Sequence, residues 1–318
     1  MKPQIYVDGQ EGTTGLRIHE YLATRSDVEV LKIVPELRKD LAERKRLLNA
    51  ADLVFLCLPD AASREAVTLI DNPRTKVIDA STAFRTDPGW IYGLPEICKS
   101  QRDKLKSAKR IANPGCHATA FLLPAAPLVA AGVIRREAVL TCVSLTGYSG
   151  AGKKAIALYE GAEAPAKLKG PRPYALKLMH KHLPEMRAMA GLLRQPIFTP
   201  VICAIHSGLA VITYLPPEVL GKKVSAAEVH EVLAQHYAGE RFVQVVPFDG
   251  EAQAGLDEGQ LDIMACNGTN RAEVFVFGHD EQIIVVARLD NLGKGASGAA
   301  VQCMNLALGF DEGTGLKS

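Results

Sequence analysis

Ile5-Tyr6-Val7-Asp8-Gly9-Gln10-Glu11-Gly12-Thr13-Thr14-Gly15 decides the fold of the amino-terminal part of this chain. Ile5-Tyr6-Val7 is a short strand, glycines at 9, 12 and 15 form a turn, and a helix is expected from about Leu16 to Ala23. The glycine spacing departs from G-x-G-x-x-G, so the triplet alone also fits an ordinary tight strand-to-helix turn. Its context favours a nucleotide: a helix start at the carboxyl edge of the first strand of a parallel sheet is where pyrophosphate is held. The alternation continues, with strands expected at Val28–Val34, Leu53–Leu58 and Lys76–Ala80 and helices at Asp40–Ala50 and Ala61–Ile70. Leu53-Val54-Phe55-Leu56-Cys57-Leu58 is a continuous apolar run stopped by Pro59, as in a strand buried on both faces. This pattern predicts an α/β domain with an open, doubly wound parallel sheet, Rossmann-like.

Asn113-Pro114-Gly115-Cys116 ends that pattern. Arg110-Ile111-Ala112 closes a strand, Pro114 and Gly115 force a turn, and the run from His117 to Ala131 begins with helix formers. A thiol on the first turn of a helix faces unpaired N–H groups and the positive end of the helix dipole. Both favour thiolate, the nucleophilic form. A small buried hydrophobe is the plainer reading of the same cysteine. Beyond it, long apolar strands dominate: Val139–Leu145, Val201–Ile205, Leu209–Leu215, Phe242–Val246, and a hairpin Val274–Phe277 with Ile283–Ala287 turning at Gly278-His279-Asp280. Ser225-Ala226-Ala227-Glu228 is a capping box. The tail Gly295–Leu308 reads as a helix of small residues expected to return to the first domain. An α+β second domain is predicted. The loop Gly161–Pro173, with three prolines, is expected to be its most flexible segment.

Composition bounds the function. With 318 residues, 47% of them hydrophobic, the chain suits two soluble domains. A net charge of +2 gives no electrostatic footprint for nucleic acid or an anionic membrane. The longest apolar stretch, Ala118–Ile134, is broken by Pro124 and Pro127 and is too short to span a bilayer. The chain enters a strand almost at once, leaving no room for a signal peptide. Seven cysteines without paired or metal-type spacing point to a reducing compartment, and a cytoplasmic location is expected.

Three further segments carry chemistry. At the end of the second strand, Val34-Pro35-Glu36-Leu37-Arg38-Lys39 sets the cofactor. Arg38 and Lys39 favour the 2′-phosphate of NADP, while Glu36 keeps NAD open. In His180-Lys181-His182-Leu183-Pro184-Glu185, two histidines point the same way if the chain is extended, as Pro184 favours. A general base for a cysteine is the better use of them, since a metal pair has no evident third ligand. His117 adjoins Cys116 but diverges from it on a helix. Gly147-Tyr148-Ser149-Gly150-Ala151-Gly152-Lys153-Lys154 fits either a plain loop or an anion-binding turn, with lysines assisting.

Taken together, these segments resemble the N-acetyl-gamma-glutamyl-phosphate reductases, short-form (type 2), over nearly the whole chain. The likeness rests on Asn113–Cys116, Asp79-Ala80-Ser81-Thr82-Ala83-Phe84-Arg85, Tyr92-Gly93-Leu94-Pro95-Glu96, His180–Glu185 and the tail from Asp290 through Asn305. It implies NADPH-dependent reduction of N-acetyl-L-glutamyl 5-phosphate to the 5-semialdehyde through a cysteine thioester, in arginine biosynthesis. It implies a semialdehyde-dehydrogenase-like fold and a homo-oligomer, dimer or tetramer. Cys116 would be the nucleophile and His182 the acid/base. Gly9, Gly12, Thr13, Thr14 and Gly15 would hold NADP(H), with Arg38 at its 2′-phosphate. Arg85, Ser149 and Lys153 are the substrate-side candidates, and no metal is expected. Residues 1–115 with 291–318 would bind the cofactor and 116–290 would carry catalysis. Three positions depart from the family: His117-Ala118 where Tyr-Pro is expected, His206-Ser207 where an arginine is usual, and Cys303 in place of asparagine. A related semialdehyde dehydrogenase and a non-catalytic NADP-binding redox sensor are the alternatives.

Overall fold

In the computed structural model, which describes residues 2–9, 12–248, 256 and 259–318, the chain falls into two units. Gln10 and Glu11 of the first glycine turn lie outside the described residues. The first unit takes the chain up to Pro95, together with Lys99–Gly115 and Ala296–Lys317. Its strands are β1 (Gln4–Asp8), β2 (Glu29–Leu31), β3 (Leu53–Leu56), β4 (Lys76–Asp79), β5 (Ile91–Tyr92) and β6 (Arg110–Ala112). They lie in the order β2-β1-β3-β4-β6-β5, and every pair is parallel. Helices α1 (Thr13–Ala23), α2 (Leu41–Ala50), α3 (Asp60–Thr68) and α4 (Gln101–Ser107) connect them.

The period-two geometry of a strand explains the two faces. Ile5, Val7, Leu53 and Phe55 enter one core, while Tyr6, Val54 and Leu56 enter the other. All four β3 residues are buried, as the apolar run required. Helix α1 begins at Thr13, earlier than expected, so Gly15 is a buried residue inside its first turn. Packing on the sheet outweighs the poor helix propensity of glycine here.

The second unit holds Glu96–Cys98 and Cys116–Gly295. In chain order its elements are α5 (Cys116–Ala130), β7 (Thr141–Gly147), α6 (Lys153–Glu160), β8 (Arg172–Pro173), α7 (Leu183–Ala190), β9 (Ile197–Cys203), β10 (Leu209–Leu215), α8 (Ala226–His236), β11 (Val243–Val245), β12 (Ala272–His279) and β13 (Gln282–Leu289). The mixed sheet runs β11-β12-β13-β10-β7-β9-β8. Strand β10 is antiparallel to both neighbours, pairing Val211 with Ala287 and with Ser144. Back in the first unit, α9 (Gly298–Leu308) contributes Ala300, Val301, Cys303 and Met304 to the core that contains Ile5 and Phe55.

Two expectations need correction. The hairpin turns at Asp280 and Glu281, because Gly278 and His279 still pair with Ile283 and Gln282 in the ladder. The loop Gly161–Pro173 is anchored: Leu168 is buried and Arg172-Pro173 pairs with β9. The capping box at α8 forms as read, with the Glu228 amide donating to Ser225 Oγ at 3.2 Å and the Ser225 amide to Glu228 Oε2 at 2.7 Å.

Helix α5 runs unbroken through Pro124 and Pro127. It is buried from His117 to Val129 and packs against β10, β13, α7 and α8. Pro127 has no N–H to return to the Leu123 carbonyl. The Tyr237 hydroxyl, at the end of α8, donates to that oxygen at 2.6 Å instead. The lost helical hydrogen bond is replaced, so the proline is tolerated. Among the described residues, no helix is long and apolar enough to cross a membrane.

Tyr237→Phe should therefore leave a buried carbonyl without a donor and destabilise the protein by about 1–3 kcal/mol. The urea midpoint measures this, and an unchanged midpoint would remove Tyr237 from the support of α5.

Candidate active site

Cys116 is the first residue of α5, half-buried, with the amino end of the helix at its back. No other cysteine has this setting. Burial pushes the thiols of Cys57, Cys142 and Cys203 up, and that of Cys266 up to about 11. Cys303 is buried in a core, with its Sγ 3.3 Å from the Gly93 carbonyl oxygen. All seven cysteines are free thiols.

What holds Cys116 from behind is a glycine. A Cβ built on Gly295 would stand 2.7 Å from the Cys116 Cβ, so no side chain fits there without moving Cys116. Gly295 is fixed in turn by its amide, which donates to the Asp290 carbonyl at 3.0 Å. Asp290 receives the amides of Gly268 and Leu292, both at 2.9 Å. Asn291 accepts from the Gly208 amide at 2.9 Å and donates to Ser149 Oγ at 3.0 Å. Lys294, fully buried, donates to both oxygens of Glu96 at 2.7 and 2.8 Å. Sequence reasoning used Asp290–Gly295 only as part of a resemblance; two glycines flanking a lysine beside Asp-Asn were the available signal.

His182 is not on an extended segment. It is the N-cap of α7 with helical dihedrals, φ −86° and ψ −11°, and Leu183 and Pro184 form the first turn. Proline is favoured in that turn because its missing N–H has no intrahelical partner there. The helical spacing puts Glu185, three residues on, under the ring: its Oε1 is 4.0 Å from His182 Nε2, both residues buried. Glu185 was quoted in the sequence motif without a role. The rings of His180 and His182 are 4.7 Å apart, and both lie about one ring away from His117, at 5.4 and 5.5 Å.

His117 uses both ring nitrogens, Nδ1 with Ser144 Oγ at 2.8 Å and Nε2 with the Tyr174 hydroxyl at 3.0 Å. Burial, aided by the nearby His180 and Lys181 charges, pushes its pKa down to about 3, so the ring is neutral. Tyr174 is shifted upward by burial and then by the charge of Cys116, which places phenol and thiol in one electrostatic neighbourhood. Sequence reading missed both Ser144 and Tyr174, because each is an ordinary polar residue brought to the site by packing.

The substrate-side candidates are dispersed in role. Ser149 is fully buried and its hydroxyl is occupied by Asn291, so it acts within the framework. Lys153 is exposed at the first position of α6. His206, where an arginine was expected, is half exposed, with Nε2 4.0 Å from Glu160. In the first unit, Arg85 is buried, its Nε donating to the Asn113 carbonyl at 2.9 Å and an NH2 to that of Ala80 at 3.2 Å. Asp87 does not pair with it among the bonds seen; its Oδ1 receives the Gly89 amide.

The first unit also holds a cavity of about 730 Å³ at the carboxyl end of β1 and β3. Asp8, Gly9, Gly12, Arg38, Lys39, Arg44, Cys57 and Glu65 line it. Gly9 has φ +86°, and a Cβ there would overlap the Cys57 carbonyl. Helix α1 starts from Gly12 without a side-chain cap, leaving its amino end to a ligand. Thr13 and Thr14 follow half-buried. Arg44, missed from sequence, pairs with Asp8 at 2.8 Å. Glu36 is not among the lining residues. Three cations and a glycine-backed helix start fit a nicotinamide dinucleotide. Among the described residues no cluster of His, Cys, Asp or Glu suits a metal.

Comparison with known proteins follows this division. The family model described as semialdehyde dehydrogenase, NAD binding domain, matches residues 4–108, and that described as semialdehyde dehydrogenase, dimerisation domain, matches 116–291. N-acetyl-gamma-glutamyl-phosphate reductase 2 of Nostoc sp. is 45% identical, covering 99% of each chain. The N-acetyl-gamma-glutamyl-phosphate reductase of Mesorhizobium japonicum is 44% identical, over 98% of this chain and 100% of its own. In three dimensions, aspartate semialdehyde dehydrogenase II of Vibrio cholerae superimposes with a TM-score of 0.70 over 97% of this chain and 98% of its own. At 18% identity that likeness speaks for the fold alone.

The neutral, buried His117 predicts a pH effect. Its folded pKa lies below the ordinary value near 6.5, so the unfolded chain binds more protons between those values. The associated stability is complete above about pH 6.5 and is lost as pH falls toward the folded value. Between about pH 7 and pH 4.5 the wild type should lose about 2 kcal/mol that His117→Asn does not lose. Urea unfolding at the two pH values measures the difference, and parallel losses would contradict it.

Proposed function

Because the chain belongs to the N-acetyl-gamma-glutamyl-phosphate reductase family, we propose that it reduces N-acetyl-L-glutamyl 5-phosphate to N-acetyl-L-glutamate 5-semialdehyde with NADPH, releasing phosphate, in arginine biosynthesis. The observation that carries the mechanism is Cys116 at the start of α5, with α7 and its His182 packed on that helix. Cys116 thiolate, stabilised by the helix start, attacks the γ-carbonyl carbon, and the carbon–oxygen bond to phosphate breaks. A thioester on Cys116 results. NADPH supplies the hydride that reduces it. The hemithioacetal then collapses, the carbon–sulfur bond breaking to release the aldehyde and restore the thiolate.

His182 takes the thiol proton at the outset and manages the proton of the hemithioacetal oxygen later. Glu185, with its Oε1 4.0 Å from His182 Nε2, orients the ring. Amides at the start of α5 stabilise the developing oxyanion in this reading. Arg85, with Lys153 as the exposed alternative, serves the substrate anions through paired or single charge-assisted hydrogen bonds. Gly9, Gly12, Thr13, Thr14 and Gly15 hold the pyrophosphate, and Arg38 with Lys39 receives the 2′-phosphate. In this reading residues 1–115 and 291–318 serve the cofactor and 116–290 the chemistry. The dimerisation description of the matching family model supports a homo-oligomer. A reducing cytoplasm suits an enzyme that depends on a free thiol.

Turnover in reverse tests the substrate. NADPH should appear with phosphate and N-acetylglutamate semialdehyde and not with aspartate semialdehyde. Preference for the second aldehyde would reassign the enzyme to another semialdehyde dehydrogenase, and cofactor binding without turnover would make it a sensor. Cys116→Ser should abolish the reaction, and His182→Asn should lower kcat by roughly 10²–10⁴-fold.

Arg38→Ala should weaken NADPH binding and leave NADH binding nearly unchanged, because only NADPH carries the extra phosphate. Titration of each cofactor by fluorescence reads this directly, and equal losses would pass the role to Lys39 or Arg44.

A further inference from the structure

We propose that Arg44 is a specificity-determining residue for the dinucleotide, the inner cation that takes the 2′-phosphate alongside Arg38, and that Asp8 is the positioning residue that holds it. The inference deepens the reading of the first unit's cavity as an NADP(H) site and rests on that reading. In the sequence, Arg44 is one basic residue among several between Arg38 and Arg46. Folding sets it apart. Its Nη2 donates to Asp8 Oδ2 at 2.8 Å, and the two side chains are only 12% and 7% exposed. Both residues line the cavity of about 730 Å³ at the carboxyl end of β1 and β3.

Connectivity says which part of a dinucleotide Arg44 can read. Asp8 is the last residue of β1, and Gly9 opens the turn into α1, the kind of turn that holds a pyrophosphate. In a dinucleotide the adenosine ribose is joined to the pyrophosphate through its 5′ carbon. A cation that reads the 2′ position must therefore stand within one sugar of that turn, and Arg44 is tied to the residue before it. The same cavity also has an apolar wall, made by Ile33, Leu41, Leu58, Pro59 and Ala62. Leu41 lies three residues before Arg44 on one face of α2 and is 50% exposed. An apolar wall, a fixed cation and an anion-binding turn in one cavity suit a purine on a phosphorylated ribose.

The other two cations are less prepared for this task. Arg38 spends its Nε on the Pro35 carbonyl at 3.0 Å, within the turn it closes, and Lys39 is exposed. Among the described residues, Arg44 makes one hydrogen bond, to Asp8, which leaves its Nε and Nη1 for a ligand. A guanidinium fork matches two phosphate oxygens at once. A side chain already held in place also loses little freedom on binding, so more of the contact appears as affinity. Asp8 alone, directly before the turn, would repel a pyrophosphate, and pairing with Arg44 offsets that charge. Glu65, the other acid lining the cavity, is exposed.

Calorimetric titration with NADPH, NADH, adenosine 2′,5′-bisphosphate and AMP tests this without turnover. The wild type should favour NADPH over NADH and the bisphosphate over AMP. Arg44→Gln should weaken the two 2′-phosphorylated ligands by about 10- to 100-fold relative to NADH and AMP, as for a lost hydrogen bond to a charged group. Arg44→Lys should recover only part of that, because a point charge does not replace the fork. The double variant Asp8→Asn with Arg44→Gln separates selection from charge balance. It strands no carboxylate, so the urea midpoint and the binding of NADH and AMP should approach wild type while the preference for the 2′-phosphate stays lost. A double variant that regains the preference would make Arg44 a counter-ion of Asp8 only, and would overturn the inference. Wild-type preference in Arg44→Gln would do the same. A wild type with no preference would reject the NADP(H) reading itself, and the role of Arg44 with it.

Discussion

The 2.7 Å separation that a Gly295 Cβ would have from the Cys116 Cβ is the constraint on which the surroundings of Cys116 depend. With that backbone in place, Cys116 is held at the start of α5. Main chain pressed against its Cβ achieves this where a side chain would displace it. The cost falls on the segment that must bring bare backbone to that point. Asp290, Asn291 and Lys294 each fasten that segment to a different part of the unit, at Gly268, at Gly208 with Ser149, and at Glu96.

The buried Lys294–Glu96 pair belongs to this logic. A fully buried ion pair contributes little net stability compared with apolar residues of the same size, because both charges are desolvated. Removing either partner would nevertheless strand a charge. Such a pair is therefore better suited to fixing geometry than to strengthening the fold. It sits one residue from Gly295, where geometry matters most.

Within the same unit, position also separates the histidines. Three rings lie within about 5.5 Å of one another, but burial and partners separate their roles. His117 is neutral and committed to Ser144 and Tyr174. His182 stands at a helix start over a carboxylate.

Much was legible in the sequence. Short-range signals survived folding almost unchanged: the β3 apolar run, the Ser225–Glu228 box, and the cysteine at the start of α5. Each depends on residues within one or two turns of one another, so local physics suffices. Tertiary structure decided the rest. Pro127 is tolerated in α5 because Tyr237, more than a hundred residues away in sequence, donates to Leu123. His182 adopts a helical cap because α7 packs on α5, overriding the extended bias before proline. Ser144 and Tyr174 carry no sequence signature of a site; they meet His117, as Gly295 meets Cys116, only when β7, the loop after β8 and the segment after β13 converge on the first turn of α5. Local sequence fixes what each segment prefers to be, and long-range packing fixes which groups meet, because a hydrogen bond or a steric overlap depends on distance in space and not along the chain.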